Sequence, residues 1–179
     1  MLFRSKVLHI TDTLGMGGAE TWMLSLMRYW AGEQGPECHF LMTSGNGGIF
    51  DEELKNLGAK LYYSKYSRGS LKSFVRDFRT MLRNERYDVI HDHQGYYSGW
   101  HFLFGTGYLP PVRITHIHSL FPEISGGHNP CFSRRLTAVI GKYLVAVYST
   151  VVAGTSWADR KSTRLNSSHV SESRMPSSA

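Results

Sequence analysis

The stretch KVLHITDTLGMGGAE, residues 6–20, sets the interpretation of the whole chain. Its first half is a short apolar run that predicts a buried strand. Gly15, Gly17 and Gly18 follow, directly before a segment with helical spacing. A strand, a glycine loop and a helix together place bare backbone N–H groups at a helix N-terminus, where the helix dipole favours an anion. We therefore expect this loop to approach a phosphate group.

Two other interpretations of the loop have to be weighed. The dinucleotide fingerprint G-x-G-x-x-G requires a glycine at the position of Glu20, so a nicotinamide cofactor is disfavoured. A turn with a purely structural role stays an alternative. The negative charge of Glu20 in the first helical turn suits a helix cap as well as a functional role.

Segments typical of strands and helices alternate along the chain. Helix-length segments separate the predicted strands, which cover residues 6–11, 37–43, 59–64, 87–93, 112–119 and 149–156. Such alternation predicts a parallel sheet with helices on both faces, the doubly wound, Rossmann-like α/β fold class. Ligands of these sheets bind at the carboxyl ends of the strands, where the glycine loop and several histidines lie.

Composition and charge exclude several classes of protein. The 179 residues are 41% hydrophobic and 19% charged, which is typical of a globular chain with about one domain. A net charge of +6 is well short of the Lys and Arg density of a dedicated nucleic-acid binder, so we expect no nucleic-acid partner. Two cysteines without a CxxC motif predict a reducing, cytoplasmic compartment. We expect no signal peptide and no membrane span, because Lys142 interrupts the most apolar stretch, residues 136–154.

The composition changes abruptly at Asp159. From there to Ala179 apolar residues are few, and the letters DRKSTRLNSSH and ESRMPSSA match the translation of a common sequencing-library adapter. A disordered natural tail has a similar composition. We expect one domain over residues 1–158 and an artefactual disordered tail over residues 159–179.

Two His-x-His pairs occur in the predicted strands, His91 with His93 and His116 with His118. Residues two apart in a strand point to the same face. Two neighbouring strands that each carry a His-x-His pair can therefore hold zinc. Both faces of a doubly wound sheet are buried, however, and only Asp92 accompanies the pairs. We therefore expect no metal site, and we expect His91 and His116 to be core residues hydrogen-bonded to the backbone.

The ordered set of motifs resembles the N-terminal domain of family 4 glycosyltransferases, which have the GT-B architecture. The motifs are KVLHITDTLGMGGAE, FDEELKNLGAKLYY, YDVIHDH and VRITHIHS, which follow in this order between residue 6 and about residue 157. GGAE alone is weakly specific, whereas the ordered set is strongly specific. The resemblance is closest to bacterial capsular and exopolysaccharide sugar transferases.

The resemblance implies retaining transfer of a hexose from a nucleotide sugar to a glycan or lipid-linked acceptor, with the nucleotide sugar as substrate and no cofactor. It implies that His118 is the catalytic candidate of this domain and contacts or orients the transferred sugar in the cleft. The loop facing the donor diphosphate and the acceptor would consist of Gly15, Gly17, Gly18 and Ala19. Further cleft-lining residues expected at strand ends are His93, Gln94 and Ser119.

The family's C-terminal domain, which holds the nucleotide, has no counterpart in this sequence. The resemblance therefore implies that this polypeptide alone transfers no sugar. A binding module stays an alternative from another class, since GT-B halves also occur in epimerases and in non-catalytic nucleotide or carbohydrate binders. A glutamate pair downstream would favour the transferase.

Residues 69–87 predict a long amphipathic helix with two distinct faces. The apolar residues recur at helical spacing and are expected to face the sheet: Leu71, Phe74, Val75, Phe78, Met81 and Leu82. The basic residues recur at steps of three and four and form a cationic stripe: Arg68, Lys72, Arg76, Arg79, Arg83 and Arg86. A solvated helix face is the plain interpretation of this stripe. Peripheral contact with an anionic membrane, where a lipid-linked acceptor would reside, is the functional one.

Overall fold

The computed structural model describes residues 4–31, 35–67, 69–118 and 132–154, and of residues 132–135 it describes the backbone alone. Within these ranges, six parallel strands form one sheet in the order β3-β2-β1-β4-β5-β6. The strands are β1 (Lys6–Thr11), β2 (Glu37–Met42), β3 (Lys60–Tyr63), β4 (Val89–Asp92), β5 (Val112–Ile117) and β6 (Val151–Gly154). The predicted fold class is confirmed. The strand order reverses between β1 and β4, which is the point where such sheets open a crevice for ligands.

The helices connect successive strands, as parallel pairing requires. They are α1 (Gly18–Ala31), α2 (Asp51–Asn56), α3 (Leu71–Glu85), α4 (Ser98–Gly105), which follows a 3-10 turn (Gly95–Tyr97), and α5 (Phe132–Tyr148). Two helix ends have a visible cause. The residue after α3, Arg86, adopts a left-handed conformation with φ of 51°, and the turn after α2 uses Gly58 at φ of 88°.

Two apolar layers enclose the sheet. On one face, α1 and α2 pack against Phe40 of β2 through their buried residues Met23, Leu24, Met27 and Leu54. On the other face, α3 and α4 cover the strands, and the buried residues include Leu8, Ile10, Ile90, Phe74, Phe78, Leu82 and Phe102. Because both faces are covered, consecutive residues of a central strand are buried, as residues 8–11 of β1 are.

Both α1 and α3 bury one side against the sheet. The expected core face of α3 is confirmed, with Leu71 and Val75 half-buried at its border. In α1, the buried residues are Met23, Leu24 and Met27, whereas Trp22 is 41% exposed and Tyr29 is 65% exposed. Apolar residues surround much of α1, so spacing alone could not decide which side faces the sheet, and the methionine-rich side does so.

α4 and α5 approach each other closely through two glycines. A Cβ atom at Gly99 would lie 2.5 Å from the carbonyl oxygen of Gly141, and one at Gly141 would overlap the carbonyl oxygen of Tyr96. Trp100 Nε1 donates to the carbonyl oxygen of Thr137 at 3.1 Å across the same contact. No helix in the described ranges is long and apolar enough to cross a bilayer.

Candidate functional site

Five histidines from three neighbouring strands lie together at the carboxyl ends of the strands. β1 contributes His9, β4 and its end contribute His91 and His93, and β5 and its end contribute His116 and His118. His9 lies opposite His91 in the register of β1 and β4, and residues two apart in a strand share a face. Parallel pairing thus joins separate sequence motifs into one group, which we call the histidine cluster.

The rings of the histidine cluster touch through their nitrogens and their faces. His9 Nδ1 lies 3.1 Å from His93 Nε2, His91 Nε2 lies 3.2 Å from His116 Nδ1, and His118 Nε2 lies 3.4 Å from His93 Nδ1. Within each His-x-His pair the ring centroids are 4.1 Å apart. His91 and His116 therefore pair with each other, where the sequence suggested backbone partners.

His9 is the member of the cluster that the sequence analysis missed. Inside KVLHIT it resembles any polar position of a buried strand, and its ring stacks on Phe40 with the centroids 5.0 Å apart. What brings His9 to the other histidines is the strand order, which places β1 beside β4. No local motif encodes that order, so two strands of the cluster carry a recognisable motif and the third carries none.

Burial keeps four members of the histidine cluster neutral at pH 7, namely His9, His91, His93 and His116. Desolvation lowers the pKa of His9 from 6.5 to about 4. Desolvation, together with repulsion from neighbouring imidazoles, lowers the pKa of His116 to about 4 and that of His91 to about 2, and it also lowers the pKa of His93. A neutral imidazole has one donor and one acceptor nitrogen, so such a side chain can donate a hydrogen bond to a polar ligand or accept one from it.

A cavity of about 630 Å³ opens beside the histidine cluster. The N-terminal turn of α1 and the outer histidines bound it, and the lining residues are Gly18, Ala19, Glu20, Trp22, His93, His116 and His118. Trp22 stands edge-on to His116, with the ring centroids 6.1 Å apart. The structure therefore brings Gly18 and Ala19 of the predicted loop to the same cavity as His93 and His118.

The three loop glycines have different surroundings. A Cβ atom at Gly18 would meet no atom within 4 Å. A Cβ atom at Gly17 would overlap the carboxylate of Glu20, which folds back over the loop and lies 3.4 Å from Thr11 Oγ1. At Gly15 the nearest atom is the side-chain oxygen of Thr13, at 3.6 Å. Of the glycines in this loop, Gly18 is the one that combines open space with a place in the cavity wall.

Gln94 and Ser119 complete the set of predicted cleft residues. The side-chain amide of Gln94 donates to Thr43 Oγ1, and its backbone N–H donates to Asp92 Oδ1 at 2.9 Å. Gln94 thus ties the segment after β4 to the end of β2. Ser119 lies outside the described residues.

The basic side chains of α3 form an exposed row on the surface. The exposed members are Lys72, Arg76, Arg79, Arg83 and Arg86. Arg68 lies outside the described residues. Arg76 Nε pairs with Asp77 at 3.0 Å, and Arg79 donates to the carbonyl oxygen of Thr106 at 3.1 Å. The cationic stripe is thus exposed over its described length, and the hydrogen bond to Thr106 restrains the side chain of Arg79.

Comparison with known proteins relates the chain to sugar transferases. The model of Glycosyltransferase Family 4 matches residues 16–164. EpsF of Bacillus subtilis, which is named as a glycosyltransferase, is 28% identical over 118 residues, or 65% of this chain and 30% of EpsF. CapH of Staphylococcus aureus, named as a capsular polysaccharide biosynthesis glycosyltransferase, is 32% identical over 114 residues, or 64% of this chain and 31% of CapH. The matched part is thus 30% and 31% of the length of these relatives.

Solved structures show the same fold. Anabaena HepE, crystallised with UDP and glucose, matches with a TM-score of 0.61 at 14% identity over 89% of this chain and 40% of HepE. A Listeria monocytogenes protein described as a UDP-N-acetylglucosamine 2-epimerase matches with a TM-score of 0.55 at 12% identity over 90% of this chain and 42% of its own. Identities this low show the fold alone. The family match over most of the sequence is what decides the relationship: the chain belongs to glycosyltransferase family 4 and carries the Rossmann-like fold of GT-B proteins.

Proposed function

We propose that residues 1–158 are the acceptor-side, N-terminal domain of a retaining hexosyltransferase that uses a nucleotide sugar as donor and a glycan or lipid-linked acceptor. The observation that carries this proposal is the cavity between the N-terminal turn of α1 and the outer histidines. It lies at the carboxyl ends of the strands, where sheets of this type bind ligands. The name of CapH, which refers to capsular polysaccharide biosynthesis, supports a role in building a polysaccharide.

The N-terminal turn of α1 supplies the electrostatic part of the proposed mechanism. Negative charge develops on the leaving diphosphate as the bond to the sugar breaks. The backbone N–H groups at Gly18 and Ala19, with the positive end of the α1 dipole, stabilise that charge. Donors fixed in place before the reaction cost no reorganisation when the charge appears. The open space at Gly18 leaves room for the phosphate to come close.

His118 is the proposed side chain that touches the transferred sugar. It lines the cavity together with His93 and His116, and it is half-buried at the end of β5. Stacking on the ring of His116, with the centroids 4.1 Å apart, holds the ring in place. An imidazole held in this way orients a sugar hydroxyl or a diphosphate oxygen by hydrogen bonding.

In the proposed enzyme, a second domain binds the nucleotide part of the donor. The chain spans 40% of HepE, whose structure contains UDP and glucose. We therefore expect the 179-residue polypeptide to transfer no sugar by itself, because only one wall of the proposed cleft is present. Turnover of a nucleotide sugar by the purified chain would contradict this expectation.

A chimera tests the proposed site. In CapH, a segment that contains the 114 matching residues and equals residues 4–154 of this chain in length is replaced by those residues, and sugar transfer is measured. Gly18→Ala adds a methyl group in the cavity wall without a clash, so it should raise KM for the nucleotide sugar and leave the melting temperature unchanged. An equal KM in the Gly18→Ala chimera would show that the donor does not approach this loop.

The cationic stripe of α3 supports peripheral contact with an anionic membrane surface as a second part of the proposal. Each basic residue near such a surface contributes about 1 kcal/mol, screened by salt. The apolar face of α3 is buried in the core, so the contact would be electrostatic without insertion. A lipid-linked acceptor would then meet the domain at the membrane.

Co-sedimentation with anionic vesicles tests this contact. The wild-type chain should sediment at low salt, and the triple variant Lys72→Glu, Arg76→Glu and Arg83→Glu should stay in solution. Arg79 is not replaced, because its loss would also remove contacts within the fold. It donates to the carbonyl oxygen of Thr106, and its guanidinium lies 5.4 Å from the centroid of the Tyr108 ring. Neutral vesicles serve as the control. If the wild-type chain ignores anionic vesicles at low salt, the stripe is a solvated helix face.

A further inference from the structure

The outer part of the histidine cluster has the composition of a metal site. His93, His116 and His118 each offer one ring nitrogen, and these nitrogens lie within 4.8 Å of one another. Three imidazole ligands with a remaining open position are the donor set of catalytic zinc sites. In the sequence only Asp92 accompanies the two His-x-His pairs, which is why no metal site is expected there. The structure brings the two pairs themselves together.

The distance between His93 Nδ1 and His118 Nε2 fits a shared ion. The two nitrogens are 3.4 Å apart, which is longer than the usual range for an N–H hydrogen bond. Two nitrogens bound to one tetrahedral Zn²⁺ at 2.0–2.1 Å lie about 3.3 Å from each other. An ion between these rings therefore requires only small side-chain adjustments.

The inner histidines are placed as supports for the outer ones. His93 Nε2, the nitrogen that does not face His118, lies 3.1 Å from His9 Nδ1. His116 Nδ1 lies 3.2 Å from His91 Nε2. Metal-binding histidines commonly use their second nitrogen to hydrogen-bond a neighbouring group, which fixes the tautomer and the ring orientation. His9 and His91 occupy that position for two of the three rings.

Access distinguishes the outer triad from a second triad in the same cluster. The ring nitrogens of His9, His91 and His93 also lie within 4.8 Å of one another, but His9 is only 3% exposed. The outer triad instead lines the cavity, together with Glu20. An ion can enter from the cavity, and water or an oxygen atom of a ligand can take the fourth position.

We propose that His93, His116 and His118 bind a divalent transition-metal ion, with Zn²⁺ as the expected occupant, at the wall of the cavity. Imidazole ligands suit zinc, copper, iron and nickel, and a tetrahedral site with one exchangeable position is typical of zinc. This site goes beyond the proposed transfer reaction. Either can be present without the other, because metal binding is measured without any sugar substrate.

Titration of the untagged, full-length chain with Zn²⁺, and with Co²⁺ as a spectroscopic probe, tests the site. We expect one ion per chain, with the visible absorption of tetrahedral cobalt. His118→Ala and His93→Ala should each weaken binding by at least about 100-fold, and His91→Leu by about 10- to 100-fold through the ring of His116. Circular dichroism verifies that each variant is folded. His118→Ala is the decisive variant, because its half-buried position at a strand end makes unfolding unexpected.

Two control variants separate this site from other histidines. His39 bonds to Tyr87 Oη at 2.8 Å and belongs to neither triad, and His128 and His169 lie outside the described residues. His39→Gln and the double variant His128→Gln, His169→Gln should bind Zn²⁺ as the wild type does. Absence of Zn²⁺ binding by the wild type would overturn the proposal, and so would binding that survives His118→Ala or disappears in the His128/His169 double variant.

Discussion

His101 Nδ1 donates to Asp92 Oδ2 at 2.6 Å, and both side chains are fully buried. The other oxygen of the same carboxylate accepts the backbone N–H of Gln94 at 2.9 Å. One carboxylate thus links α4 to the backbone turn that follows β4. Because His93 lies inside that turn, the pair positions a wall of the cavity from the opposite side of the sheet.

Asp92→Asn should therefore destabilise the protein by about 2 kcal/mol, because a buried hydrogen bond to a charged group contributes roughly 1.5–3 kcal/mol. Asp77→Asn is the matched control. Asp77 makes an exposed pair with Arg76, and surface changes usually stay within about 0.5 kcal/mol. Urea denaturation of both variants measures the difference. Equal stabilities would show that the Asp92–His101 pair does not hold this part of the fold.

The close contact of α4 with α5 predicts that Gly141→Ala is destabilising. The added methyl group would overlap the backbone of Tyr96, and overpacking of this kind costs about 1–3 kcal/mol. Gly18→Ala, which adds the same methyl group in open space, should leave stability within about 0.5 kcal/mol. Thermal unfolding separates the two variants, and a Gly141→Ala protein as stable as the wild type would mean that the helices can move apart at no cost.

The histidine cluster predicts a loss of stability at mildly acidic pH. The pKa of His9 is lowered from 6.5 to about 4 in the folded chain, so the unfolded chain binds more protons between these values. Stability is then full above pH 6.5 and falls as the pH falls to about 4, by ~3 kcal/mol for a shift of this size. His116, with its pKa lowered to about 4, acts in the same direction.

Chemical denaturation in EDTA between pH 7 and pH 4 measures this effect in the metal-free protein. His9→Gln removes one of the titrating groups, so its stability should depend less steeply on pH in this window. A wild-type stability that is constant from pH 7 to pH 5 would contradict the burial of neutral histidines.

Glu85 affects stability in a separate pH range. Hydrogen bonds from Lys60 and Tyr62 lower the pKa of Glu85 from 4.5 to about 2, so its contribution to the free energy of unfolding is lost as the pH falls below about 4.5.

The proposed artefactual origin of residues 159–179 predicts that their removal has little effect. A segment that never evolved with the core has no packing partners there. Deletion should change the melting temperature by less than about 2 °C. The family match ends at residue 164, so deletion from residue 165 is the control. A clear drop in melting temperature with either deletion would show that the segment packs on the domain.

Alternation of strands and helices sufficed to predict the fold, because parallel sheets covered on both faces impose that pattern on the sequence. The helix predicted over residues 69–87 is α3, Leu71–Glu85, in the structure. The buried side of α1 could not be predicted, since apolar residues surround much of that helix. Its large ring at Trp22 stands over the histidine cluster instead of entering the core.

The candidate site was predictable in its parts and not in its assembly. The glycine loop and the His-x-His pairs are local motifs, and both border the cavity. His9 and the Asp92–His101 pair depend on which strands and helices are neighbours, and that information is spread over the whole chain. Gln94 follows a strand end, as expected, but its side chain reaches the neighbouring strand through Thr43.

Sugar transfer by the CapH chimera tests the central claim most directly. The claim predicts that the chimera carrying residues 4–154 of this chain transfers sugar from a nucleotide-sugar donor, and that His118→Ala reduces the transfer rate while the melting temperature is retained. His39→Gln, outside the cavity wall, should leave the rate unchanged. A folded chimera that binds the nucleotide sugar and transfers none would contradict the claim and identify this domain as a binding module.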